Sequence, residues 1–390
     1  MIFTARKMPE EYSQVIKKIN ELREKLRFAT SDSLHRWTGL LARTTLARVI
    51  QGTNTIEGIN VTLDDAVAAI DGEEPPSAQD EDRLALLGFR EAMTYIVQLA
   101  KDRTYQHNEG TIKSLHFMML NYDMSKCPGR WRPGSVHITN TATNQIVYEG
   151  PDAALVPGLM KELIDSLNTE NKLPVIVKAA MAHLNLTMIH PFLDGNGRMA
   201  RALQTMVLSR DGILAPQFSS IEDYIGTYPN EYYAILAEVG KGSWHPENDA
   251  LPWIRFCLVA HYQQAETLLR RLVEHRALWN ALEEETKKAK LNERVISALA
   301  DAALGLTVRN STYRKQAGIS NQVAKKDLGN LFNLGFFVAK GERRGRYYQA
   351  SDVLKEIRSR TRVEKTRVDP FLEIEREQGN AQQPLPGLSE

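Results

Sequence analysis

The run His190-Pro191-Phe192-Leu193-Asp194-Gly195-Asn196-Gly197-Arg198-Met199-Ala200-Arg201 places a proton acceptor, a carboxylate, two glycines, an amide and two guanidiniums within twelve residues. Glycines on both sides of Asn196 allow a tight bend that exposes backbone N–H groups. Arg198 and Arg201 lie three apart and share a face if a helix begins at the bend. A bend feeding a helix start is a cradle for phosphate, and the remaining carboxylate can serve a divalent cation. The run therefore points to nucleotide chemistry. It is not a Walker A loop, because the Lys-Ser/Thr pair is missing.

Most of the chain around this run reads as helix. Val175 to His190 and Gly197 to Arg210 are the expected helices on either side of the bend. Upstream, Val15, Ile16, Ile19, Leu22 and Leu26 recur at helical spacing within Pro9 to Phe28, with Lys and Arg between them. Further helices are expected over Leu40 to Val49, Leu63 to Ile70 after a Thr62 N-cap, and Asp80 to Ala100 with acidic residues at its positive end. Thr111 to Leu120 and Ala153 to Leu167 follow. One segment departs from this pattern. Gly134 to Thr139 and Gln145 to Tyr148 read as two short strands joined by Asn140-Thr141-Ala142-Thr143-Asn144, a β-hairpin.

Bulk properties exclude several classes. A net charge of +1 gives no global field that would draw the chain to nucleic acid or anionic lipid. Cys127 and Cys257 are its two cysteines, far apart, which suits a reducing cytosol and argues against a disulfide scaffold or a zinc site. Both read as small buried hydrophobes. Residues 1–7 lack the apolar core of an export signal, and no run approaches the roughly 18 apolar residues of a membrane span. The expected compartment is the cytoplasm.

The twelve-residue run resembles the signature of Fic-domain proteins, His-Pro-Phe-x-(Asp/Glu)-Gly-Asn-Gly-Arg-x-x-Arg, at every fixed position. The resemblance covers approximately Leu40 to His261, including the upstream hairpin and Tyr232-Tyr233. It implies a mainly α fold: a Fic-type helical bundle with a β-hairpin flap. It also implies transfer of AMP from ATP to a Tyr, Thr or Ser hydroxyl of a protein, the chain itself included, with release of pyrophosphate. In that scheme His190 accepts the hydroxyl proton, a task suited to imidazole. Asp194 holds Mg²⁺ on the α- and β-phosphates. Gly195, Asn196 and Gly197 present N–H groups, Arg198 binds phosphate oxygens and Arg201 reaches the γ-phosphate. Val136, His137, Ile138 and Thr139 form a flap edge on which a target can add as a strand. Tyr233 and Tyr232 are candidates for the adenine pocket, Tyr233 the better of the two; core packing is the competing reading for neighbouring aromatics.

Upstream, Thr53-Asn54-Thr55-Ile56-Glu57-Gly58 resembles the family's inhibitory pattern, (Ser/Thr)-x-x-x-Glu-(Gly/Asn). Glu57 would pair with Arg201 and occupy the fork meant for the γ-phosphate. It could also position water to remove AMP in the reverse direction. Taken alone, Glu57 could equally be a helix-end residue before a Gly cap.

Beyond the charged run Glu283 to Lys290, helices over Glu293 to Ala303, Ser311 to Ala317 and Asn321 to Leu334 precede a hairpin of Gly335 to Ala339 and Arg346 to Gln349. That order is the winged helix-turn-helix pattern. From Val308 to Tyr348, nine basic residues (Arg309, Arg314, Lys315, Lys325, Lys326, Lys340, Arg343, Arg344, Arg346) face Asp327 and Glu342, a local charge of +7. DNA backbone contact and protein docking are both open to such a module. The expected organisation is a helical region over 1–105 carrying the inhibitory motif, a Fic catalytic domain over 106–282, a winged helix-turn-helix over 283–368 and a disordered tail over 369–390. A homodimer is also expected. Two further readings compete with an autoinhibited adenylyltransferase. One is a related enzyme that moves GMP, UMP or phosphocholine, or mainly removes AMP. The other is a DNA-binding regulator that senses ATP, although a sensor has no need of His190.

Overall fold

In the computed structural model, which describes residues 1–31, 36–139, 145–170, 172–210, 212–342 and 345–381, the apolar stripe of the first helix is buried as its spacing requires. Val15, Ile16, Ile19, Leu22 and Leu26 of α1 (Glu10–Ser31) all enter the main core. Next come α2 (Arg36–Ile56), α3 (Leu63–Asp71), α4 (Asp80–Leu99) and α5 (Glu109–Leu120). The Thr62 side chain caps α3 in a reciprocal box with Asp65, and Gly72 closes it at φ 74°, a left-handed conformation that suits glycine.

The hairpin consists of β1 (His137–Thr139) and β2 (Ile146–Glu149), paired antiparallel with a register shift between Ile138 and Thr139. Its connecting residues 140–144, where the sequence placed the turn, lie outside the described residues. Val136 falls just before β1, and its carbonyl accepts the N–H of Gly150 at 3.2 Å. Then follow α6 (Val156–Asn168), α7 (Val175–Ile189), α8 (Asn196–Ser209), α9 (Pro216–Ser219), α10 (Glu222–Thr227) and α11 (Pro229–Gly240). Helix α7 is buried on every side, packed against α6, α8 and the long α12 (Leu251–Lys288). Trp253 of α12 donates its indole N–H to the Ala180 carbonyl at 2.7 Å. The site therefore sits at the end of a fully packed helix.

Helix α12 runs unbroken through residue 283, where the sequence suggested a boundary. Leu278, Trp279 and Leu282 on its last turns belong to a second core. That core is completed by α13 (Ile296–Ala303), α14 (Asn310–Ala317), α15 (Asn321–Asn333) and the hairpin β3 (Phe337–Lys340)–β4 (Tyr347–Ala350), with Leu354 of α16 (Asp352–Arg360). Three helices followed by a hairpin is the order anticipated for this module. Arg343 and Arg344 of its basic run are outside the described residues.

The expected disordered tail over 369–390 is corrected over 370–381 only; residues 382–390 lie outside the described residues. Pro370–Ala381 forms a helix, α17, whose Phe371 and Ile374 are buried against the main core. Phe371 meets the Tyr12 ring edge-on at 5.0 Å, and Lys18 pairs with Glu377 at 2.8 Å. The polar majority of the tail hid an apolar pair three residues apart, enough to dock one helical turn.

Among the described residues no helix is long and apolar enough to cross a membrane. Both cysteines are free thiols; Cys257 is buried and Cys127 is half-buried.

Candidate active site

The bend between α7 and α8 is built from the outside inward. His190 ends α7 in a left-handed conformation, φ 51°, so its carbonyl and ring leave the helix axis abruptly. Arg132 holds this corner. Its backbone N–H donates to Pro191 O at 2.8 Å, and its guanidinium donates to the carbonyls of His190 (2.8 Å), Gly134 and Pro151. One buried side chain thus ties the His190 corner to the base of the β1–β2 hairpin. Asn196 locks the inside of the bend. Its amide accepts from Phe192 N–H and donates to Phe192 O, both at 2.9 Å.

His116 of α5 supports the bend from below. Its ring stacks on Phe192 at 3.7 Å, its Nδ1 accepts the Gly129 N–H at 2.8 Å, and its Nε2 donates to Asp194 O at 2.9 Å. An amide can only donate, so these two bonds fix the neutral tautomer with the proton on Nε2. Burial agrees, pushing the His116 imidazole down to about 4.

His190 faces the other way. Its Nδ1 lies 3.3 Å from Thr187 O, which places the proton on Nδ1 and leaves the Nε2 lone pair free. Burial, assisted by the Arg132 guanidinium, lowers its pKa to about 4. The ring is therefore neutral at working pH and able to accept a proton.

The anion cradle is only partly as expected. Gly195, at φ 75°, gives its N–H to Asp194 Oδ1 at 2.6 Å, so that donor is already taken. Helix α8 begins at Asn196, which leaves the N–H groups of Asn196 and Gly197 in its first turn without intrahelical acceptors. Two buried guanidiniums back them. Arg198 is 3% exposed, and its Nε and Nη1 find no partner among the described residues; neither does Nη1 of Arg201, which is 1% exposed. Unpaired buried donors of this kind are costly unless an anion meets them.

An anion already holds another nitrogen of the same Arg201 fork, Nη2. Glu57 stands one residue past the end of α2, and its Oε1 accepts from Arg201 Nη2 at 2.6 Å. Thr53, the first residue of the same motif, holds the Nε–Nη2 edge of the fork and shares Nη2 with Glu57. Its Oγ1 accepts from Arg201 Nε at 2.8 Å and its carbonyl from Nη2 at 3.2 Å. The carboxylate presses onto the bare face of Gly197, where an added Cβ would lie 2.3 Å from Glu57 Oε1. Glu57 thus sits at the positive end of α8.

Asp194 presents a carboxylate with 40% side-chain exposure, 3.2 Å from Lys126 Nζ. Burial raises its pKa, but the Gly195 N–H, Arg198 and Lys126 outweigh that and hold it below the usual carboxylate range. The described residues contain no group of three or more His, Cys, Asp or Glu that could cage a metal. A single ionised, accessible carboxylate suits Mg²⁺, which completes its shell with water and phosphate oxygens.

The two tyrosines separate. Tyr233 is half-exposed beside the site, its hydroxyl donating to Ile56 O at 3.0 Å. Tyr232 does not line a pocket: it is 1% exposed, and its hydroxyl lies 3.0 Å from His183 Nε2 in the core. Adjacent helical residues point about 100° apart, so only one of the pair can face the bend. At the flap, the far edge of β2 is engaged, Glu149 donating its N–H to Gly242 O at 2.9 Å, while the outer edge of β1 is unpaired among the described residues. Thr53, His116, Lys126 and Arg132 were missed as site residues by sequence reasoning. Thr53 alone carried a signal, as the first residue of the inhibitory pattern.

A helix–bend–helix with unsatisfied buried donors, a free imidazole nitrogen and one accessible carboxylate has the chemistry that suits a phosphate-bearing ligand. Residues 106–208 match the Fic/DOC family model, and the chain carries a Fic domain. It is 26% identical over 253 residues to the protein adenylyltransferase Fic of Nematostella vectensis, covering 62% of this chain and 53% of that protein. It is 36% identical over 108 residues to protein adenylyltransferase fic-1 of Caenorhabditis elegans, covering 27% and 18%. The chain thus spans about half, or less, of the length of these relatives. A Fic family protein from Desulfovibrio desulfuricans has the same fold, with a TM-score of 0.59 at 21% identity over 90% of this chain and 98% of that one.

Proposed function

We propose that this chain transfers AMP from ATP to a Tyr, Thr or Ser hydroxyl of a protein, and that Glu57 holds the reaction in check. The observation that carries the reading is the pairing of unpartnered buried donors on Arg198 and Arg201 with a neutral imidazole whose Nε2 is free. The names of the relatives support it.

In the reaction, His190 Nε2 takes the proton as the hydroxyl oxygen bonds to the α-phosphorus. The bond from that phosphorus to the β-phosphate oxygen breaks, and pyrophosphate leaves. The first-turn N–H groups of α8 and Arg198 take up charge that develops on the phosphate oxygens. Asp194 would hold Mg²⁺, which neutralises phosphate charge when bound. Tyr233 borders the adenine side. The open edge of β1, from Val136 to Thr139, aligns the target backbone by strand addition.

Arg201 completes the γ-phosphate site only after Glu57 withdraws. The contact of Glu57 with both Arg201 and Gly197 supports the brake. A cytosolic setting is supported by the two free thiols. In the competing regulator reading the C-terminal module holds DNA. Lys325 and Lys326 on α15 are exposed and favour it. Against it, Arg309 faces Asp64 of α3 at 3.9 Å and Lys315 donates to the Asp71 carbonyl, so part of the +7 charge is spent inside the molecule.

The test is incubation with a lysate and ATP labelled at either the α- or the γ-phosphate. Label should reach protein from the α position only, and His190→Ala should abolish it. Labelling from the γ position, or survival of α-labelling in His190→Ala, would overturn the assignment.

A further inference from the structure

Away from the bend, four helices bring together more positive charge than their carboxylates balance. Arg271 on α12 pairs with Asp223 of α10 at 2.6 Å. Glu274, 2% exposed, is shared by Arg270 at 2.5 Å and by Arg358 of α16 at 2.6 Å, and it also accepts the Val363 N–H at 3.0 Å. Both carboxylates are thereby engaged. Arg48 of α2 faces this group with no hydrogen-bond acceptor among the described residues, and its nearest opposite charge, Asp223, is already held by Arg271. Four guanidiniums against two carboxylates leave a local charge of +2.

Two further buried nitrogens there are unmatched. Arg358 Nη1 is buried without a partner, and so is Nδ1 of His275, a residue 4% exposed. Burial, then Arg271, Arg358 and Arg270, push the Arg48 guanidinium down to about 10, outweighing Asp223. His275 sits among the same arginines, and burial with Arg358 and Arg271 holds it neutral. An uncompensated cluster of buried cations is costly unless a counter-charge completes it. Planar guanidinium forks match tetrahedral oxyanions best.

We propose that Arg48, Arg271, Arg358 and Nδ1 of His275 form a second anion site, which takes a phosphate dianion, free or as the end group of a small phosphate ester. The dianion balances the +2 charge and accepts from the orphaned Arg358 Nη1 and from His275 Nδ1 in the tautomer that carries its proton there. Arg48 is the half-buried entrance. Helix α2 also carries Thr53 and leads directly into Glu57, so an anion here braces the brake helix against α12 and α16.

The test is thermal unfolding of the full chain in inorganic phosphate or glycerol 3-phosphate, against chloride of equal ionic strength. The expected result is a saturable rise in Tm of about 2 °C or more in wild type. It should be lost in Arg48→Gln and Arg358→Gln, kept in weakened form in Arg48→Lys, and kept in Arg201→Ala, which separates it from anion binding at the α8 turn. A response to free phosphate alone assigns the free ion; a stronger response to the ester assigns an ester ligand. No rise beyond chloride, or a rise that survives Arg48→Gln and Arg358→Gln, overturns the site.

Discussion

Replacing Glu57 with glycine removes the partner of a guanidinium that is 1% exposed and held at 2.6 Å. Breaking a buried pair by deleting one member costs on the order of 3–5 kcal/mol, because the remaining charge is stranded. The Glu57 side chain keeps 26% of its exposure, so solvent screening places this pair near the lower end, about 3 kcal/mol. That is also the advantage the γ-phosphate must overcome to claim Arg201 while Glu57 is present. At about 1.4 kcal/mol per tenfold, the initial rate of AMP transfer should rise by about a hundredfold in Glu57→Gly. Two signatures should accompany it. The variant should melt below wild type, and ATP should restore more of that loss than it adds to wild type, since the triphosphate refills the vacated fork. Glu57→Gln, which keeps an acceptor without the charge, should fall between. The assay is initial-rate incorporation of label from α-labelled ATP, with melting curves with and without nucleotide. Rates within twofold of each other for wild type and Glu57→Gly would refute the electrostatic argument.

Gly197→Ala should silence transfer even in the Glu57→Gly background, because the new Cβ fills the space beside the Arg201 fork; undiminished labelling in the double variant would show that phosphate does not approach there. Arg132→Met should lower kcat while leaving the melting temperature nearer to wild type than Phe192→Ala does, since it frees the His190 corner and the hairpin base; an unchanged kcat would remove Arg132 as a positioning residue. Stability should fall on mild acidification. His107, His116 and His190 are lowered to about 4, and His183, His261 and His275 to about 3, mainly by burial. The unfolded chain takes up protons below about pH 6.5 while the folded one does not, so this stability is intact above that value and drains away as pH falls toward the folded values. Tm measured from about pH 7.5 to 5 checks it, and a flat profile would contradict the burial of these rings.

What the sequence disclosed was local. The bend, the two helices around it and the Glu57 motif are written in neighbouring residues whose types conflict unless they do chemistry together. Arg132 and His116 escaped notice because they act through backbone carbonyls and amides of residues far away in the chain, and those atoms leave no mark on residue type. Tyr232 and Tyr233 could not be told apart by spacing; the pairing of Tyr232 with His183 decides between them. Helix α12 was obscured because its two ends bury different faces in different cores, so no single stripe runs along it, and its charged last turns imitate a linker. The α17 docking rests on Phe371 and Ile374, too little apolar surface to stand out against a polar tail.

One contact in the fold constrains how Glu57 could leave Arg201. Gly52 of α2 touches the backbone of α10 directly: a Cβ there would lie 2.5 Å from the Glu222 carbonyl oxygen, and one on Gly226 would lie 2.9 Å from the Gly52 Cα. At this crossing backbone meets backbone with no side chain between, and the shaft of α2 is keyed to its neighbour one turn before Glu57. Release that spares this seam must come from unwinding the few residues past it, a movement of a latch tip on a fixed bolt.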